Sequence, residues 1–421
     1  MNALTIVRYL LGQPAAIREV ASSKAALGTG LCLVLLTGIP RNYDQTFLLE
    51  TPMWLIGPLL FSIFSGMFVF LVVYLVFIRP NRSVDVPSPY FEDQCHSFMG
   101  LFWLTAPIAW LYAIPVERFL DSYRAAQCNL ALLAIVSLWR VLLLARVLSV
   151  VQEVRYLRAL GWVLLPACAE VMAVATFGGG FGRRILAGMS GMVHSPEEYL
   201  LIRALNIATD GALWLGGLSI VALLVWRLKH KVQLFPSMQG GRLPWLTLLV
   251  AATLWIAAAL KPQQELRRFS VIDGFVKHGQ YREAVDYLSR YHRNDFGPVK
   301  RLPPDPYEMV VWEHLPGLFS VMNGTEAPWV RQLYLDYLEI TFQHSLPHWG
   351  ADGLIQIIDS LGRIPEGRDW VAKNRIQFVE QAELVKQYHR ERDPHITAAW
   401  ERVLRQYGFF DPVTIEPTEP K

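Results

Sequence analysis

From Lys261 onward this 421-residue chain contains no cysteine and no apolar run of membrane length. Without cysteine, that part is no disulfide scaffold in any compartment, and it holds no Cys/His catalytic pair. The whole chain has four cysteines, Cys32, Cys95, Cys128 and Cys168, and no CxxC pair. They read as small buried apolar residues. Charge is scarce too: 18% of residues are Asp, Glu, Lys or Arg, against about 25% in soluble domains. No HExxH and no phosphate loop ending in Gly-Lys-Ser/Thr is present, and the C-terminal part lacks GxSxG. His344 and His348 are four apart, but Pro347 interrupts any helix carrying them, so no metal site is expected. No cofactor is expected, and no motif names a reaction.

What is present is apolar. Hydrophobic residues make up 53% of the chain, and mean hydropathy is +0.27. A hydrocarbon core of about 30 Å is matched by about 20 apolar residues. Seven segments qualify or nearly qualify: Ala25–Pro40, which is short, then Pro52–Ile78, Phe98–Pro115, Ala126–Val147, Leu160–Phe181, Ala204–Trp226 and Leu243–Leu260. Trp54, Tyr74, Trp110, Tyr112, Trp162, Trp226 and Trp245 flank them as interface residues do. Residues 1–24 carry Arg8, Arg18, Glu19 and Lys24 between short apolar patches. They read as amphipathic helices lying in the membrane interface and not as a cleavable signal.

Charge divides the chain. Up to Leu260 there are 19 Lys+Arg against 13 Asp+Glu; beyond it, 20 against 23. A basic membrane part suits anionic head groups, and the mildly acidic remainder excludes a nucleic-acid footprint. Lys and Arg in the short loops favour a cytoplasmic N-terminus. With seven spans the C-terminal domain is then extracytoplasmic.

An ionisable residue at bilayer depth is a functional hypothesis. Glu170 lies midway along the fifth segment, and Arg140 lies in the fourth, where its long side chain can snorkel toward Glu170. The two read either as a proton or cation site or as a structural pair. Arg146 and Asp210 read as anchors near segment ends. Gly178–Arg184 is glycine-rich and then basic; Gly179, Gly180, Arg183 and Arg184 are candidates for contact with an anion or lipid head group. That loop also reads as a plain helix exit. His194-Ser195-Pro196-Glu197-Glu198 marks a helix start.

Beyond Lys261 the pattern is helical and soluble. Gly279-Gln280-Tyr281-Arg282-Glu283-Ala284 resembles the turn and second helix of a tetratricopeptide repeat, with Phe275, Gly279, Tyr281 and Ala284 at matching positions. The first-helix Trp and Gly positions hold Arg268 and Ile272 instead, and no second copy follows. The likeness covers residues 264–294. A Pro-rich break at Phe296–Pro306 precedes further helices, and Phe409–Lys421 reads as a disordered tail.

One further likeness spans residues 10–150. Leu11-Gly12, Ala16-Ile17-Arg18, Arg41-Asn42-Tyr43-Asp44, Phe102-Trp103-Leu104-Thr105-Ala106-Pro107 and Trp110–Phe119 together resemble a group of uncharacterised multipass bacterial inner-membrane proteins. The resemblance implies a location and no activity. The expected fold is all-α: a polytopic transmembrane bundle of about seven spans over residues 25–260, then a soluble, repeat-like helical domain over 261–408. The expected role is a membrane anchor or scaffold whose C-terminal domain binds a protein partner. A transporter or channel using Glu170 and Arg140 is the alternative, and a lipid-modifying enzyme the second. The partners expected are the lipid bilayer and a protein, with no nucleic acid.

Overall fold

The structure, a computed structural model, describes residues 1–38, 47, 48, 50, 53–78, 91–177, 196–225, 235–236, 241–297, 302–306, 311–344, 351–374 and 405. It is all-helical, with no β-strand among the described residues. The chain divides into two compact units, Met1–Leu266 and Arg267–Lys421.

The first unit opens with two short helices, α1 (Ala3–Leu10) and α2 (Pro14–Ala21). Asn2 caps α1 by accepting from Thr5 N at 2.8 Å. Pro14 begins α2, where its missing N–H costs nothing. Gly12 turns the chain between them with φ +72°. Tyr9, Ile17 and Val20 are fully buried in the bundle, while Leu4, Val7 and Leu11 remain exposed.

Next come α3 (Ala25–Leu36), α4 (Met53–Val72, extended by a wider π-type turn over Val73–Ile78) and α5 (Phe91–Trp103). Then follow α6 (Ser122–Val151), α7 (Tyr156–Phe177), α8 (Pro196–Val225) and α9 (Trp245–Lys277). Among the described residues, six stretches are long and apolar enough to cross a membrane: Ile56–Leu75, Phe91–Arg118, Ser122–Val151, Tyr156–Thr176, Leu200–Val225 and Trp245–Lys277. Helix α3 is apolar but has 12 residues, about 18 Å against a core of about 30 Å.

Pro107 breaks the second stretch. Helix α5 stops at Trp103, and a 3₁₀ segment continues over Ala106–Ala113. Thr105 N turns to Phe102 O at 3.2 Å. That frees the Leu101 carbonyl, which accepts from the buried Tyr9 hydroxyl at 2.6 Å. Helices α3 and α5 approach closely because each has a glycine at the crossing. A β-carbon on Gly30 would meet Trp103 Cβ at 2.7 Å, and one on Gly100 would meet Leu27 N at 3.1 Å. Helices α7 and α8 run antiparallel: Gly161 faces Leu223, and seven residues further up α7 Cys168 faces Gly216, seven residues back on α8.

Polar clamps sit at the two ends of this unit. At one end the buried Gln94 side chain grips the Phe235 backbone, donating to its carbonyl at 3.0 Å and accepting from its N–H at 2.8 Å. At the other, Arg118 pairs with Glu265 at 2.6 Å, Asn129 donates to Glu117 at 2.6 Å, and Leu48 N donates to Gln263 at 2.9 Å.

The second unit contains the end of α9, then α10 (Tyr281–Ser289), α11 (Val311–Val321), α12 (Pro328–His344), α13 (Ala351–Leu361) and α14 (Pro365–Lys373). Its core gathers Ile272, Ala284, Leu288, Phe319, Tyr334, Leu338, Ile357 and Leu361. A charge network ties the helices beneath the surface. Glu326 accepts from Asn323 N, Gly324 N and Arg282. Arg331 forks onto Glu366 at 2.7 and 2.8 Å and donates also to the Gly324 and Glu326 carbonyls.

Candidate functional site

The candidate site is a polar layer near mid-depth of the first unit, built from four helices. Ser65 lies 13 residues before Ile78, and Glu170 lies 14 after Tyr156. Arg140 lies 11 before Val151, and Phe102 lies 11 after Phe91. At 1.5 Å per residue all four stand about 16–21 Å from one end of their helices.

Glu170 on α7 faces Ser65 on α4, whose Oγ is 2.9 Å from Oε1 and 3.0 Å from Oε2. An ionised carboxylate satisfies both distances by sharing the Ser65 proton between its two oxygens. A protonated carboxyl satisfies them too, accepting from Ser65 through one oxygen and donating back through the other. The pair therefore suits a group that can hold or release a proton.

Arg140 on α6 turns toward α5. Its Nε donates to Thr105 Oγ1 at 3.2 Å, and its guanidinium carbon stands 5.3 Å from the centre of the Phe102 ring. Each charge of the expected pair thus has its own partner, and among the described residues the two form no direct ion pair. Ser65, Thr105 and Phe102 escape a reading that looks only for charge. The available signal for Ser65 is a hydroxyl inside a segment otherwise free of charge.

Helix α8 starts at Pro196, well before the apolar run, so Asp210 falls midway along its 30 residues. Arg146 lies nearer its helix end and bonds to the Gly12 carbonyl at 3.4 Å.

Gly179, Gly180, Arg183 and Arg184 lie outside the described residues, as does His348. In the second unit, Gly279 takes φ +70° between α9 and α10, and Ala284 is fully buried. Phe275 packs edge-on against Tyr287 with ring centres 6.1 Å apart. Tyr281 reaches beyond its own hairpin: its ring lies over Gly317 of α11, and its hydroxyl is 3.1 Å from His314 Nδ1. Among the described residues no group of three or more His, Cys, Asp or Glu side chains could hold a metal ion.

Compared with known proteins, the chain matches no family model, no curated protein and no solved structure.

Proposed function

We propose that this chain is a membrane anchor or scaffold whose second unit, a soluble helical domain with a repeat-like first hairpin, binds a partner protein or stabilises a membrane complex. One observation carries the reading. Among the described residues, every exposed large apolar side chain lies between Leu4 and Leu260, and the second unit exposes none. An apolar belt belongs in lipid, and a unit without one belongs in water. A seventh crossing that begins with α3 is part of the proposal. It is supported by Leu48 bonding to Gln263 at the end of the bundle opposite the Gln94 clamp. With the N-terminus in the cytoplasm, the chain then leaves the apolar unit on the extracytoplasmic face. The full-length chain, tagged and extracted in native lipid, is expected to bring down a stoichiometric protein. A chain stopped after His278 is expected to lose it. Equal recovery from both removes the proposal.

A second reading is favoured by the mid-depth layer. A carboxyl bonded to serine, with an arginine held apart at the same depth, suits proton-linked transport or a cation path. Flux in liposomes that survives Glu170→Gln, or no flux in the parent chain, excludes it.

A further inference from the structure

Three sulfurs gather where α4 packs on α5 in the first unit. Cys95 on α5 points its thiol at Met67 on α4, with Sγ 3.3 Å from Sδ. Met99 lies one turn beyond Cys95, on the same face of α5. Its Sδ stands 2.9 Å from the β-carbon position of Gly66, the residue before Met67. A side chain on Gly66 would displace that sulfur, so the glycine makes room for it beside α4. Met99 is buried, and Cys95 and Met67 are half-buried.

The surroundings are apolar. Phe102 also reaches the Gly66 position, at 3.0 Å, and Phe98 stacks on Phe102. Among the described residues the Cys95 thiol has no partner but Met67, and no carboxylate or imidazole bonds to any of the three sulfurs. A thiol is a weak donor and a thioether a weak acceptor, so the contact gains little as a hydrogen bond. Taken alone it is ordinary packing. The second thioether at the same packing face is what makes a ligand set.

Thiolate and thioether are soft ligands, and Cu(I) is the metal that accepts both. Two sulfurs bound at about 2.3 Å to one metal in a trigonal plane stand about 4 Å apart, so Cys95 and Met67 need separate by less than about 1 Å. Methionine turns about three side-chain bonds, which lets either thioether swing toward a metal. Charge points the same way. Binding sends the Cys95 proton to water and leaves a thiolate. One thiolate neutralises a monovalent ion, whereas a divalent ion would leave a net charge in apolar surroundings. We propose that Cys95, Met67 and Met99 form a site for Cu(I), with the thiolate and both thioethers as its ligands.

Copper(I) uptake by the full chain in detergent micelles tests this, measured against a chromogenic Cu(I) chelator with ascorbate present. The parent is expected to take up one Cu(I). X-ray absorption at the copper edge is expected to show sulfur neighbours alone, at about 2.3 Å. Cys95→Ser is expected to abolish tight uptake. Met67→Leu and Met99→Leu, which nearly conserve volume, are each expected to weaken it by about tenfold or more. Cys128→Ser, on α6, is expected to bind as the parent does. No uptake by the parent overturns the proposal, as does uptake that survives Cys95→Ser or is indifferent to both leucine variants. So do nitrogen or oxygen neighbours around the copper, or a loss in Cys128→Ser equal to that in Cys95→Ser. Should Cys95→Ser not fold, the sulfur neighbours of the parent and the two leucine variants decide.

Discussion

The ring of Tyr281 on α10 fills the space where a β-carbon on Gly317 of α11 would stand. The glycine is thus a seat for the tyrosine, and the two helices lock through it. The Tyr281 hydroxyl adds a contact to His314, which keeps the ring in place. Gly317→Ala must push the ring out of a packed interface, at a cost of about 1–3 kcal/mol. Thermal unfolding of the full chain, followed by helical circular dichroism, should show the second unit melting earlier. In the double variant with Tyr281→Ala the added methyl should cost almost nothing, because the space is then empty.

Much of this architecture is written in the sequence, and the exceptions share a cause. The apolar runs foretell the all-helical fold and the membrane-length helices, because hydrocarbon thickness fixes their length. Pro107 marks the end of α5 because it lacks a donor. What each side chain touches is not written. Glu170 is visible as an acid inside an apolar segment, but its partner Ser65 lies 105 residues away on another helix. Arg140 carries no mark saying that Thr105 will take it. Asp210 looks interfacial when the apolar run is taken as the helix, and becomes mid-helix once α8 begins at Pro196.

Arg331 holds the Glu366 carboxyl below the usual carboxylate range, first through the hydrogen bonds it donates. The folded state therefore favours the ionised form more than the unfolded chain does. An unfolded Glu titrates near about 4.3, so the stabilisation is full above that value and fades as pH falls through the lower folded value. The carboxylate is about a third exposed, and water screening keeps the effect modest. The melting temperature of the parent chain should fall toward that of Glu366→Gln as pH drops from about 6 to 3, and the gap should be widest at neutral pH. A constant gap across that range would refute the assignment.

Gly100 is a second seat, on the α3–α5 crossing. Its β-carbon position stands 3.1 Å from Leu27 N and 3.3 Å from the Ala26 carbonyl carbon. Those are backbone atoms, which cannot rotate aside as a flexible side chain would. Gly100→Val is expected to separate α3 from α5 and to destabilise the first unit by about 1–3 kcal/mol. Gly211, with nothing within 4 Å, is the control: Gly211→Ala should be neutral or slightly stabilising, since alanine favours a helix. Unfolding of both variants in mixed micelles gives the comparison.

Ser65→Ala removes the donor that Glu170 faces across α4 and α7. Interhelical hydrogen bonds in membranes are worth about 0.6–1.7 kcal/mol, and that loss is expected in mixed-micelle unfolding. Glu170→Gln keeps an acceptor for Ser65, so its stability should lie near that of the parent. The two substitutions together therefore separate structure from function. If the carboxyl only braces the bundle, Ser65→Ala is the harmful change and Glu170→Gln is silent. If it carries a proton, Glu170→Gln abolishes any proton-linked activity while leaving the fold intact. Infrared difference spectra on changing pH supply a direct readout. A protonated-carboxyl band that appears in the parent and is absent in Glu170→Gln means the group titrates within the bundle. No such band in either protein reduces Glu170 to a brace between two helices.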